Sequence, residues 1–98
     1  MPMNIIKNSL LLEWCRQHVN AEQQLLAWRA DIKKLHIDNL NQLRDYYQVK
    51  VLGNNRVIFK IKGNDYRLIA IVLVANQTVY LRWFGTHAEY DKIDPETI

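Results

Sequence analysis

The segment 56–84 constrains this 98-residue chain more than any other. Arg56-Val57-Ile58-Phe59-Lys60-Ile61-Lys62 alternates like a half-buried strand, residues 65–74 form a second run, and residues 78–84 form a third. Gly63-Asn64 separates the first two and suits a two-residue hairpin turn in which both central residues take positive φ. Asn76-Gln77 reads as a second tight turn. Runs this close together leave no room for crossover connections, so they must form an antiparallel meander. Tight turns also fix the register, and the register decides which side chains share a face.

Pairing Lys62 with Asp65 sets Lys60 opposite Arg67 and Ile58 opposite Ile69. Pairing Ala75 with Thr78 sets Ile71 opposite Arg82, Leu73 opposite Tyr80, Ile69 opposite Phe84 and Arg67 opposite Thr86. One face then carries Val57, Phe59, Ile61, Tyr66, Leu68, Ala70, Val72, Val74, Val79, Leu81 and Trp83, apolar apart from one phenol. The opposite face carries Lys60, Arg67, Arg82 and Thr86 among Ile58, Ile69, Ile71, Tyr80 and Phe84.

The first half of the chain supplies the cover for the apolar face. Asn4-Ile5-Ile6 reads as a short strand. A helix from about Ser9 brings Leu11, Trp14, Cys15 and Val19 to one side. Asn20 is placed to cap a second helix, with Gln23 three residues on to complete a capping box. That helix runs to about Lys34 and buries Leu25, Trp28, Ile32 and Leu35, while Lys33 and Lys34 complement its dipole. Asp38 caps a short third helix through Leu40 and Leu43, and residues 45–52 are a loop or a short strand. The fold class is α+β: two N-terminal helices, plus a short third, packed on one face of a twisted, mainly antiparallel sheet. Cys15 and the three tryptophans, Trp14, Trp28 and Trp83, fall on apolar stripes and read as core; His18 and His36 sit near helix ends and read as structural.

Length and composition fit one domain over residues 1–98, since 49% hydrophobic and 23% charged residues suffice for one core and argue against disorder. The single cysteine cannot form an internal disulfide. Met1-Pro2-Met3-Asn4 lacks the basic and apolar regions of a secretory leader, and no apolar run is long enough to span a bilayer, so a cytoplasmic protein is expected.

The net charge of +3 is modest, but its distribution is informative. Arg56, Lys60, Lys62, Arg67 and Arg82 lie in the strand half with one acid between them, Asp65, whereas the helical half mixes signs. Like charges at a cross-strand pair such as Lys60–Arg67 cost a few tenths to about 1 kcal/mol. Either Asp65, Asp91 or Glu89 neutralises them, or the face holds an anion, with the planar fork of Arg67 suited to phosphate. Immediately after the third strand, His87-Ala88-Glu89-Tyr90-Asp91-Lys92 includes five residues that can take or give a proton. Alone this is a solvated turn or a proton-transfer site; beside Arg67 it suits metal-free phosphoryl transfer, with RNA supplying its own 2′-OH as nucleophile. His87 is the first candidate for acid–base work because imidazole titrates near neutrality. Tyr90 and Asp91 are alternatives, and Tyr90 is equally able to stack on a base. His87 and Asp91 offer two metal ligands without a third, so no metal is expected, and no cofactor fingerprint is present. A non-catalytic RNA- or partner-binding module is the alternative reading.

Gly53-Asn54-Asn55-Arg56-Val57-Ile58-Phe59, Lys62-Gly63-Asn64-Asp65-Tyr66-Arg67-Leu68-Ile69 and Gly85-Thr86-His87-Ala88-Glu89-Tyr90-Asp91-Lys92-Ile93-Asp94 closely resemble the HigB family of bacterial toxins. The similarity extends to Trp14, Asn20-Ala21-Glu22-Gln23 and Trp28 and so covers nearly the whole chain. It implies a RelE-like fold and an mRNA interferase, an endoribonuclease that cuts transcripts on the translating ribosome; attack by the 2′-OH is then expected to leave a 2′,3′-cyclic or 3′-phosphate and a 5′-OH. It also implies a cognate HigA-type antitoxin carrying a helix-turn-helix domain. By matching position, Lys60, Arg67 and Arg82 are the implied basic contributors, with His87, Tyr90, Asp91 and Lys92 at the end of the sheet. The candidate catalytic residues are therefore Arg67, His87, Tyr90, Asp91 and Lys92, and the candidate RNA-binding residues Lys60, Lys62, Arg82 and Arg56; a decayed, inactive copy of such a toxin is a further alternative. Which of His87, Tyr90, Asp91 and Lys92 is the acid and which the base is left open by the resemblance.

Overall fold

The computed structural model describes residues 3–98; Met1 and Pro2, part of the N-terminal reading above, lie outside them. In chain order the elements are β1 (Asn4–Ile6), α1 (Asn8–Gln17), α2 (Glu22–Lys34), β2 (Val49–Val51), β3 (Arg56–Ile61), β4 (Tyr66–Leu73), β5 (Thr78–Thr86) and α3 (His87–Tyr90), with 3-10 turns at Val19–Ala21, Leu40–Asp45 and Val74–Asn76. The strands form one sheet in the order β1-β5-β4-β3-β2, antiparallel except for β1, which runs parallel to β5 at one edge. Helices on one face of a mainly antiparallel sheet make the fold α+β, consistent with a RelE-like fold.

The helices bury the stripes that their spacing dictates. Leu11, Trp14 and Cys15 of α1 and Leu25, Trp28 and Ile32 of α2 pack on Val57, Phe59, Leu68, Ala70 and Val72 of the sheet. Full burial of each aliphatic side chain contributes roughly 1.5–3 kcal/mol. Trp28 meets Phe59 edge-to-face at 5.2 Å. Burial pushes the Cys15 thiol up, as for a core residue, and the nearby Glu22 charge adds to it.

Several local expectations are corrected. Val19 is 73% exposed, because the chain leaves the helical path at His18 (φ −128°, ψ 70°) and its side chain is carried off the stripe. No Asn20–Gln23 capping box forms; a 3-10 turn intervenes and Ala21 precedes α2 without a side-chain cap. Asp38 does not cap the third helical segment, a 3-10 turn that follows Asn39; instead its own N–H donates to Gln42 Oε1 at 2.6 Å.

The β3–β4 register is the expected one, with Lys60 opposite Arg67 and Ile58 opposite Ile69. The positive-φ positions in that turn are Lys62 and Gly63, however, rather than Gly63 and Asn64. The β4–β5 register differs: Ile71 faces Tyr80, Leu73 faces Thr78, Ile69 faces Trp83 and Arg67 faces Gly85. Two causes act together. The turn is longer than two residues, because Gln77 takes a left-handed conformation and turns its amide inward, accepting from Ile37 N–H at 3.1 Å and donating to Ile37 C=O at 2.7 Å. Arg82 is then an extra residue between the Ala70–Leu81 and Ile69–Trp83 pairs, a bulge that inverts facing beyond it. Phe84 therefore joins the core, stacked with Trp14 at 5.7 Å and Tyr66 at 5.2 Å, and Trp83 passes to the opposite face, away from the core assigned to it.

That opposite face is only partly open. Ile58 and Ile69 are 4% and 0% exposed although they point away from the helices. The chain after α3 returns across this side: Arg56 Nη1 donates to the main-chain oxygens of Pro95 (3.3 Å) and Ile98 (2.6 Å), and Arg82 Nε and Nη2 reach the same Ile98 oxygen at 3.3 Å.

Candidate functional site

Lys60 and Arg67 stand side by side because the β3–β4 hairpin leaves no other register for them. Arg67 is 6% exposed, and its fork is held by its own turn: Nη1 donates to the carbonyls of Asn64 (3.0 Å) and Tyr66 (3.1 Å), and Nη2 to Asn64 Oδ1 (2.8 Å). All three acceptors are neutral, so they orient the guanidinium without cancelling its charge. Among the described residues no carboxylate lies within 4.0 Å of Lys60 or Arg67. Of the three acids weighed as neutralising partners, Glu89 binds Thr86, Asp91 stands beside His87, and Asp65 makes no ion pair with Lys60 or Arg67.

The residues after β5 form a short helix rather than a turn. Thr86 and Glu89 make a reciprocal capping box, with Thr86 N–H donating to Glu89 Oε1 at 2.8 Å and Glu89 N–H to Thr86 Oγ1 at 3.1 Å. The Thr86-x-x-Glu89 spacing was the sequence signal for α3. The backbone hydrogen bond from Thr86 holds the Glu89 carboxyl below its ordinary range. His87 N–H donates to Asp65 C=O at 2.9 Å and so ties α3 to the β3–β4 turn that holds Arg67.

Tyr90, at the end of α3, lies under the Arg67 guanidinium with 5.7 Å from Cζ to the ring centroid. Trp83, carried to this face by the bulge, is 6.4 Å from the Tyr90 ring. Gly85 makes room for it: a β-carbon there would come within 2.6 Å of the indole and 2.9 Å of Glu89 Oε1. His87 Nδ1 stands 3.4 Å from Asp91 Oδ2, both partly exposed, so Asp91 is placed to orient the imidazole or to pair with its protonated form.

A cleft of about 780 Å³ opens over this arrangement, lined by Lys60, Arg67 and Tyr90 together with Ile58 and residues 44–50. Three sequence candidates thus share one cavity. The others do not line it. His87, Asp91 and Lys92 lie on α3 or just beyond it, outside the cleft wall. Lys62 points to the helical side, its Nζ donating to Asn20 C=O at 3.1 Å, and Arg56 and Arg82 hold the C-terminal segment.

Arg44, Tyr46 and Lys50 form a cleft wall that sequence reasoning missed. The pairing of β2 with β3 brings them there: Val49 lies opposite Phe59 and Lys50 opposite Ile58. The weak alternation of Tyr47, Val49 and Val51 was the available signal, since strand periodicity then turns Lys50 to the other side.

Among the described residues no group of three His, Cys, Asp or Glu side chains is placed to hold a metal ion, and no helix is long and apolar enough to cross a membrane. The chemistry present is therefore two un-neutralised cations, a phenol and a nearby imidazole–carboxylate pair. No curated protein matches the chain significantly. The family described as HigB toxin, RelE-like toxic component of a toxin–antitoxin system, matches residues 21–93, so the chain belongs to the HigB toxin family and has an antitoxin as its expected partner.

Proposed function

We propose that this toxin is a ribosome-dependent endoribonuclease that cleaves translated mRNA without metal. What carries the reading is the Lys60–Arg67 pair, two cations set against each other with no carboxylate between them, in a cleft shared with Tyr90. Such a pair is unfavourable alone and favourable once a phosphodiester lies across it. Arg67 holds the scissile phosphate and stabilises the charge that develops on its oxygens, and Lys60 assists. The mRNA 2′-OH attacks phosphorus and its proton passes to His87, oriented by Asp91. The P–O5′ bond breaks and the leaving oxygen takes a proton from Tyr90, with Lys92 the alternative donor. The products are a 2′,3′-cyclic phosphate and a 5′-OH, and water returns His87 and Tyr90 to their starting states. His87 lies outside the cleft wall, which fits an enzyme whose substrate strand is positioned by the ribosome. The antitoxin partner is then of the HigA type, and the compartment the cytoplasm.

Primer-extension mapping in cells expressing the chain tests this. Cleavage ends inside translated reading frames are expected for the parent, lost when initiation is blocked and lost in folded Arg67→Ala. A parent that binds RNA in a salt-dependent way but yields no ends is a binding module, and the proposal fails.

A further inference from the structure

We infer that the outer wall of the cleft, Tyr46 with Arg44 and Lys50, seats one unpaired base of single-stranded RNA, the base stacking on the Tyr46 ring and the adjoining phosphates lying against the two cations. The inference rests on the proposed reading of the same cleft as an RNA site and extends it from the scissile phosphate to a neighbouring nucleotide. Tyr46 and Tyr47 are adjacent but differently placed. Tyr47 is a structural residue: its ring meets Phe59 at 6.2 Å, its hydroxyl donates to Asp31 Oδ2 at 2.7 Å, and burial raises its pKa well above the ordinary phenol value. Tyr46 is 58% exposed, and its side chain makes no hydrogen bond or ring contact among the described residues.

A lone exposed aromatic needs no explanation. The company of Tyr46 is what points to a ligand. The cleft brings four cations, Arg44, Lys50, Lys60 and Arg67, against one carboxylate, Asp45, over an apolar floor at Ile58. Arg44 is fixed at this wall by Nη1 donating to Val49 C=O at 3.2 Å. The volume of about 780 Å³ lies within the range of cavities that take a nucleotide-sized ligand. A ring, an apolar floor and cations on either side match a nucleobase flanked by phosphates, and stacking needs the base unpaired, which a duplex does not offer. An acidic peptide would use the cations and leave Tyr46 and Ile58 without a part.

The test measures anisotropy of a fluorescein-labelled hexaribonucleotide at low salt against the full-length parent, Tyr46→Ala and Tyr46→Phe, together with a matched oligonucleotide lacking bases and a polyglutamate peptide. Tyr46→Ala is expected to weaken hexaribonucleotide binding roughly five- to thirtyfold, as for loss of one stacked base, with Tyr46→Phe close to the parent. The oligonucleotide without bases should bind parent and Tyr46→Ala alike. Equal hexaribonucleotide binding by parent and Tyr46→Ala, whether or not peptide binding changes, overturns the base seat, and so does a parent that binds no RNA. Mapping cleavage ends in parallel separates the two readings. Tyr46-dependent binding without cleavage keeps the seat and removes the nuclease; cleavage with Tyr46→Ala indistinguishable from the parent does the reverse.

Discussion

Two pairs of cations on the same side of the sheet have opposite fates. Arg56 and Arg82 are satisfied within the chain, both reaching the Ile98 main-chain oxygen and thereby fixing the returning C-terminal segment. Among the described residues Lys60 and Arg67 meet no acid within 4.0 Å, and Arg67 is oriented by neutral carbonyls that leave its charge intact. The first pair is used by the fold; the second, on the proposed reading, is the one that meets a ligand. Counting cations along the sequence cannot separate these cases, because the distinction lies in what each side chain meets.

The largest effect is expected from the second pair. Arg67→Ala should lower cleavage of translated mRNA on the order of a hundredfold or more, the scale for losing one pre-oriented charge-stabilising donor. Arg67→Lys should recover little of it, since a single ammonium cannot reproduce the fork held by Asn64. Lys60→Ala should cost roughly tenfold, as a point charge beside the main anchor. Rates of end formation in a translation extract measure both. Equal losses from Lys60→Ala and from Arg82→Gln would erase the contrast.

What the sequence allowed here follows from turn chemistry. Gly63 stands in a tight turn with positive φ, and the Lys60–Arg67 pairing could be read from it although Lys62 rather than Asn64 took the other left-handed position. The β4–β5 register could not, because it depends on the Gln77 amide meeting Ile37, a residue forty positions away, and on a bulge at Arg82 that no local pattern marks. That one-residue slip exchanged Phe84 with Trp83. At the site, Arg67 and Tyr90 were legible because one is set by the hairpin and the other follows directly on the strand beside it. Arg44, Tyr46 and Lys50 were not, since β2 pairs only three residues and its alternation is weak.

Gly85→Ala probes how closely the free pair depends on its surroundings. The new β-carbon would displace the Trp83 indole, which adjoins Tyr90. Activity should fall by about tenfold through misplacement of Tyr90, with quenched or shifted tryptophan emission as the accompanying sign. Unchanged emission with unchanged activity would mean that Trp83 does not position Tyr90.

The first pair should behave in the opposite sense. Arg56→Gln combined with Arg82→Gln should lower stability by about 1 kcal/mol through the lost charge-assisted hydrogen bonds, read from urea denaturation, while cleavage stays within about twofold of the parent. A large loss of cleavage at full stability would move these arginines into the ligand-binding set.

The smallest effect concerns the link between α3 and Arg67, and it depends on pH. Thr86 N–H binds the Glu89 carboxylate and lowers its pKa in the folded chain. A group whose folded pKa is depressed contributes stability above the unfolded value and loses it as pH falls through the folded one. The contribution of Glu89 to the cap is therefore complete above the ordinary carboxylate range, about pH 4–5, and fades as the solution becomes more acid. Glu89→Gln keeps an oxygen acceptor but removes the titration, so its stability curve should be flatter than the parent's in that window and slightly lower at neutral pH. Because α3 carries Tyr90 to Arg67, the parent alone should also show a small change in Trp83 emission over the same acid range. Parallel curves for parent and Glu89→Gln would place the anchoring of α3 in the Asp65–His87 backbone bond and leave the capping box a minor contributor.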